Sequence, residues 1–163
     1  MPRRKNFSTQ YSCASTTFPK LTMNLPYQSN SHQQNTVKPP LILAVDDNED
    51  SLQLLTQLVT LLECAFITAI DGETTLGMAQ DYQPDLILLD MMLPDMSGIE
   101  VVHRLKKNSE TRAISIIAVT AMARKEDRDR FISAGCIHYI KKPYLIDEME
   151  IIILNYIRKI PAI

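Results

Sequence analysis

Leu86-Ile87-Leu88-Leu89-Asp90-Met91-Met92-Leu93-Pro94-Asp95-Met96-Ser97-Gly98 is the stretch that decides the fold. Four consecutive apolar residues run into an acid, and proline, serine and glycine follow shortly after. An apolar run that short, bounded by turn residues, reads as a strand covered on both faces. The acid then sits at the carboxyl end of that strand, and a new amphipathic stretch begins at the glycine.

Outward from this segment the same alternation recurs in both directions. Strands are expected at Leu41–Val45, Cys64–Ile70, Leu86–Leu89, Ile114–Val119 and Ile137–Ile140, three of them almost continuously apolar. Helices are expected at 50–62, 73–81, 98–107, 124–134 and 145–159, where apolar residues recur at three- and four-residue steps. Gly72, Gly98 and Gly135 fall at the connections, and Pro84 stops the second helix. Five βα units with right-handed crossovers make a five-stranded parallel sheet. The expected fold is a doubly wound, flavodoxin-like α/β three-layer sandwich.

Length and composition narrow the function classes. With 163 residues, 45% hydrophobic and 22% charged, the chain holds one domain with a substantial core, and no apolar run is long enough for a membrane span. Residues 1–40 differ from the rest: they are rich in Ser, Thr, Asn and Gln, and carry Arg3, Arg4, Lys5, Lys20 and Lys38 without a single acid. They read as a disordered extension, with 41–163 as the folded domain. Their composition loosely resembles a transit peptide, but an added extension or a true start at Met23 is the simpler reading. The remaining chain is therefore more acidic than the formal net charge of −2 suggests, which argues against direct nucleic-acid binding. Cys13, Cys64 and Cys136 have no disulfide or zinc spacing, so a reducing cytoplasm is expected.

In open α/β sheets, ligands bind beyond the carboxyl ends of the strands. Asp46 and Asp47 end the first strand, Asp90 the third and Thr120 the fourth, and Lys142 follows the fifth. Each alone is explained as a cap or loop residue. Together they gather three carboxylates, a hydroxyl and an ammonium on one rim. Carboxylates so close repel one another unless a cation joins them, and an oxygen-only donor set suits Mg²⁺.

The segments Ala44-Val45-Asp46-Asp47-Asn48, Leu89–Gly98, Val119-Thr120-Ala121 and Tyr139-Ile140-Lys141-Lys142-Pro143-Tyr144 resemble the motifs of response-regulator receiver domains of two-component systems. The likeness spans residues 41 to about 160 and is nearest the stand-alone, chemotaxis-regulator type. It implies Asp90 as phosphoacceptor, with Mg²⁺ held by Asp47, Asp90 and the Met92 backbone carbonyl, and by Asp46 through a water. It implies Thr120 and Lys142 on the phosphoryl oxygens, and Tyr139 as the switch aromatic that follows Thr120. The implied partners are a sensor histidine kinase or a histidine phosphotransfer domain, plus a downstream protein target. A homodimer through the fourth helix, fifth strand and fifth helix is a further implication.

Three further features carry expectations of their own. Met92 and Met122 are bulky thioethers where receivers admit the hydrolytic water, so self-dephosphorylation should be slow. On the fifth helix, Met149, Ile152, Ile153, Tyr156 and Ile160 form the expected inward stripe, with Ile151 and Leu154 near the opposite face. Leu145 stands where a capping side chain is usual, so that helix should start without one.

Rival readings make different demands. An aspartyl-phosphate phosphohydrolase needs a second acid two residues after the nucleophile, where this chain has Met92. A flavodoxin needs a phosphate-binding first loop, and Asp46-Asp47-Asn48-Glu49-Asp50 repels phosphate. A receiver fold used as a constitutive interaction module, without phosphorylation, is the remaining alternative.

Overall fold

The computed structural model describes residues 38–121 and 124–158. Residues 1–37, with Met23, and residues 122–123 and 159–163, with Met122 and Ile160, lie outside the described residues. The elements alternate throughout: β1 Leu41–Val45, α1 Glu49–Leu61, β2 Ala65–Ala69, α2 Gly72–Tyr82, β3 Leu86–Asp90, α3 Gly98–Lys107, β4 Ser115–Thr120, α4 Lys125–Ala134, β5 His138–Lys141 and α5 Ile146–Ile157. All strands are parallel in one sheet of order β2-β1-β3-β4-β5. The strand order reverses direction between β1 and β3, which opens a crevice at their carboxyl ends.

Side-chain alternation along the strands divides the core in two. Ile42 and Ala44, Leu86 and Leu88, and Ile117 and Val119 face one layer, which α1 and α5 cover with Leu55, Leu58, Val59, Met149 and Ile153. Leu43 and Val45, Ile87 and Leu89, and Ile116 and Ala118 face the other layer, covered by Val101, Val102, Leu105 and Phe131. The central strands β1, β3 and β4 are buried almost end to end, whereas edge strand β2 alternates between half-buried and exposed. Both patterns follow from position in the sheet.

Element ends differ from the sequence reading by a residue or so, each for a local reason. β2 begins at Ala65 because the Cys64 amide donates to Val59 O (3.2 Å) and still belongs to the end of α1. β3 extends to Asp90, which pairs in register with Val119. β4 begins one residue late because the Ile114 amide is taken by Thr111 O (3.0 Å) in a turn. α2 ends at Tyr82, with Gln83 in the left-handed region (φ 51°), before Pro84 can interrupt it. At Gly135, φ of 121° explains the glycine after α4.

The α5 stripe needs correction. Met149, Ile153 and Ile157 are the buried positions, and Leu154 is half-buried against the α1/α5 core together with Ile152 and Tyr156. Leu154 does not face the opposite side, because the helix lies deep enough to bury flanks on both sides of its stripe. Ile151 is 60% exposed, as expected. Leu145 precedes α5 with no side-chain cap.

Candidate functional site

Strand register brings the chosen side chains together. β1 and β3 are neighbours, with Val45 opposite Leu89, so the next residues, Asp46 and Asp90, lie side by side. Thr120 is the last residue of β4 and pairs with Lys141, which sets Lys142 just beyond the rim. Asp46, Asp90 and Thr120 are buried, and Asp47, one residue further along, is exposed. One acid of the three therefore faces water, so mutual repulsion is milder than the sequence reading supposed.

Lys142 is the hub of the arrangement. Its Nζ donates to Asp46 Oδ2 at 2.6 Å and to Asp90 Oδ2 at 2.7 Å. Each acid's second oxygen accepts a backbone N–H two residues ahead: Asn48 N at 3.0 Å for Asp46 and Met92 N at 2.9 Å for Asp90. Lys142 is itself held by its amide, which donates to Thr120 O at 2.7 Å, and the Lys142–Pro143 peptide is cis. Burial pulls the Lys142 ammonium down, but hydrogen bonds and charge attraction from Asp46 and Asp90 outweigh it and raise its pKa. Lys141 points away and is exposed, as strand alternation requires.

Oxygens of Asp46, Asp47 and Asp90 lie within 4.8 Å of one another. Those carboxylates, with backbone carbonyls close by in the chain, form a hard, oxygen-only donor set suited to a divalent cation.

The loop between β3 and α3 carries Met92, which is 54% exposed and whose amide donates to Asp90. Gly98 closes this loop through its amide, which donates to Met91 O at 3.0 Å. A Cβ on Gly98 would lie 2.6 Å from Met91 Cα, so only glycine lets the loop close. Tyr139 is half-buried on β5 against the α2–α4 layer, with the Arg128 guanidinium 5.2 Å from its ring centre.

Sequence reasoning missed Asp95. Its two oxygens accept from Gly72 N (2.8 Å) and Glu73 N (2.9 Å), the first amides of α2. No local signal announces this contact, because its partners lie 23 and 22 residues away.

Comparison with known proteins bears on this geometry. A family profile described as "Response regulator receiver domain" matches residues 42–154. The polar-differentiation response regulator DivK of Brucella anthropi is 38% identical over 119 residues, covering 73% of this chain and 97% of that protein. The chain belongs to the response regulator receiver domain family. Receiver domains are signalling switches rather than a class of enzymes, and the family leaves the phosphohydrolase and flavodoxin readings without support.

Solved receivers share the architecture. The receiver domain of a Pseudomonas aeruginosa sensor histidine kinase superposes with a TM-score of 0.69 at 27% identity, covering 74% of this chain and 99% of that one. That structure has a magnesium ion coordinated in its active-site cleft. A Vibrio cholerae chemotaxis protein, CheY4, matches with a TM-score of 0.69 at 24% identity, over 72% of this chain and 98% of that one, which supports the fold alone. No described helix is long and apolar enough to cross a membrane.

Proposed function

We propose that this receiver takes a phosphoryl group onto Asp90 and thereby switches a protein-binding surface. One observation carries the reading: Asp46, Asp90 and Lys142, drawn from three separate βα units, converge within direct hydrogen-bonding distance at the rim. An Asp90 oxygen attacks phosphorus, the bond from phosphorus to the donor's nitrogen or oxygen breaks, and the leaving group keeps the electron pair and takes a proton. The product is an acyl phosphate.

Asp47, Asp90 and the Met92 carbonyl would hold Mg²⁺ directly, and Asp46 through a water. The bound cation supplies positive charge to the phosphoryl oxygens. Lys142 would leave Asp90 and follow the new negative charge, which the phosphoryl group carries in greater amount. Thr120 would donate its hydroxyl to a phosphoryl oxygen, and Tyr139 would follow Thr120. A few kcal/mol of preference between the two arrangements is enough to move the population.

A histidine kinase or histidine phosphotransfer domain is the proposed donor, and the cytoplasm the proposed compartment. Residues 1–40 are the proposed extension, of which those before Met23 are dispensable for the switch, and 41–163 the proposed domain. Any homodimer would use the α4-β5-α5 face, where Ile151 is exposed; sedimentation unchanged by a phosphodonor would remove that idea.

The decisive experiment is incubation with Mg²⁺ and acetyl phosphate, followed by intact-mass measurement. Wild type gains the mass of one phosphoryl group, and Asp90→Ala gains none. No gain in wild type would favour the constitutive module. Met92 also predicts a long-lived phosphoprotein, since its exposed thioether stands where a polar side chain would guide water. Met92→Asn should shorten the measured lifetime, and an unchanged decay rate would count against this role.

A further inference from the structure

We propose that Asp95 is a positioning residue for the acceptor site: its carboxylate clamps the β3–α3 loop to the start of α2 and so holds the Asp90–Met92 segment in place. The inference rests on the proposed roles of Asp90 and Met92.

Helix α2 already has a cap of its own. Asp71 precedes the helix in extended conformation and accepts from Thr74 N at 2.7 Å. That local cap is the ordinary device for a helix start. Asp95 adds a second carboxylate from a distant loop, which accepts from Gly72 N at 2.8 Å and Glu73 N at 2.9 Å. A helix capped by Asp71 has less need of that second carboxylate than the loop has of an anchor. Asp95 is exposed, so it is not there to fill the core.

The loop is pinned at its base and at its tip. At the base, Met91 N donates to Val119 O (3.2 Å), Gly98 N closes onto Met91 O (3.0 Å), and Met92 bridges to Ser97. At the tip, Asp95 reaches across to α2. The neighbouring Met96 side chain fills the space beside Gly72, where an added Cβ would lie 2.5 Å from Met96 Cγ. Loop tip and helix start therefore interlock in two independent ways. The Gly72 N–H lowers the Asp95 pKa; desolvation opposes it, and the Glu73 amide adds to the lowering. The clamp thus stays charged across the physiological range.

The backbone from Asp90 to Met92 begins this same loop, so releasing the tip loosens the segment that bears the acceptor and the candidate metal-binding carbonyl. Partners that orient metal ligands without touching the metal are typically worth tenfold or more in affinity.

The test compares Asp95→Ala, Asp95→Asn and Asp71→Ala with wild type, each as the full chain. Mg²⁺ affinity is measured by calorimetric titration, phosphorylation rate by acetyl phosphate at saturating Mg²⁺, and melting temperature alongside. Asp95→Ala should weaken Mg²⁺ binding roughly tenfold. Asp95→Asn, whose amide oxygen can still accept one N–H, should fall between it and wild type. Asp71→Ala should lower the melting temperature while leaving Mg²⁺ affinity near wild type. Asp95→Ala or Asp95→Asn binding Mg²⁺ as tightly as wild type overturns the clamp, as does Asp71→Ala weakening it equally. A wild type that binds no Mg²⁺ overturns the reading of the acid cluster, and the clamp with it.

Discussion

The carboxyl rim of the sheet and its β2 edge are built on opposite terms. At the rim, two buried acids share one ammonium, and their carboxylate oxygens accept directed hydrogen bonds of 3.0 Å or less from it and from the Asn48 and Met92 amides. At the edge, Leu61 on α1 is 79% exposed and Phe66 on β2 is 42% exposed, and neither stands next to a charged group in the same element. The rim depends on particular partners, and the edge tolerates change. Buried charge is costly when a partner is lost, whereas an exposed aliphatic has little to lose.

Substitutions can break or sharpen that contrast. The largest effect belongs to neither region but to the layer that carries both. Leu88→Ala, at a fully buried position in central β3, should destabilise the protein by about 3 kcal/mol in urea unfolding. A loss near zero would mean that β3 is not the central strand.

Lys142→Met at the rim should follow, at about 2 kcal/mol without added Mg²⁺, because Asp46 and Asp90 stay buried without their partner. Added Mg²⁺ should narrow the gap by replacing the missing charge. The pH dependence has a definite sign. The folded pKa of Lys142 is raised above the ordinary 10.5, so the pair's contribution is complete below that value. It fades as pH climbs through the raised value. Wild type and variant should therefore differ by a constant amount from neutral pH upward and converge only in strong alkali. A gap that closes near neutrality would contradict the ion pairs.

The smallest effect is expected at the edge. Leu61→Gln should shift stability by no more than about 0.5 kcal/mol. A larger loss would show that the exposed face is covered in solution.

Much of this was readable in advance, and what escaped did so for physical reasons. The apolar runs of β1, β3 and β4 announce themselves because both faces of a central parallel strand are buried, so no polar residue interrupts them. Asp46, Asp90, Thr120 and Lys142 were legible because the end of such a strand is a defined place. Their coming together follows from the sheet order β2-β1-β3-β4-β5, which places β1, β3 and β4 side by side; the crossover rule gives the hand of each connection but not that order. Asp95 was illegible because its partners are backbone amides, which leave no mark in a sequence. The resting place of Lys142 on two acids was also hidden, because residue types alone do not say where a long side chain lies before a ligand arrives. Leu154 packs against the core where periodicity expects an outward position, because helical periodicity gives the centre of a buried stripe and not its width.

The bond between Lys142 and Asp46 joins residues 96 positions apart, and Asp90 lies between them in the sequence. A ribosome makes the two acids first and the lysine much later. Until β5 and the turn beyond it emerge, the nascent chain holds Asp46 and Asp90 without their shared counter-charge. The pocket is therefore assembled late in synthesis, and a chain truncated before Lys142 would display the acids without the cluster.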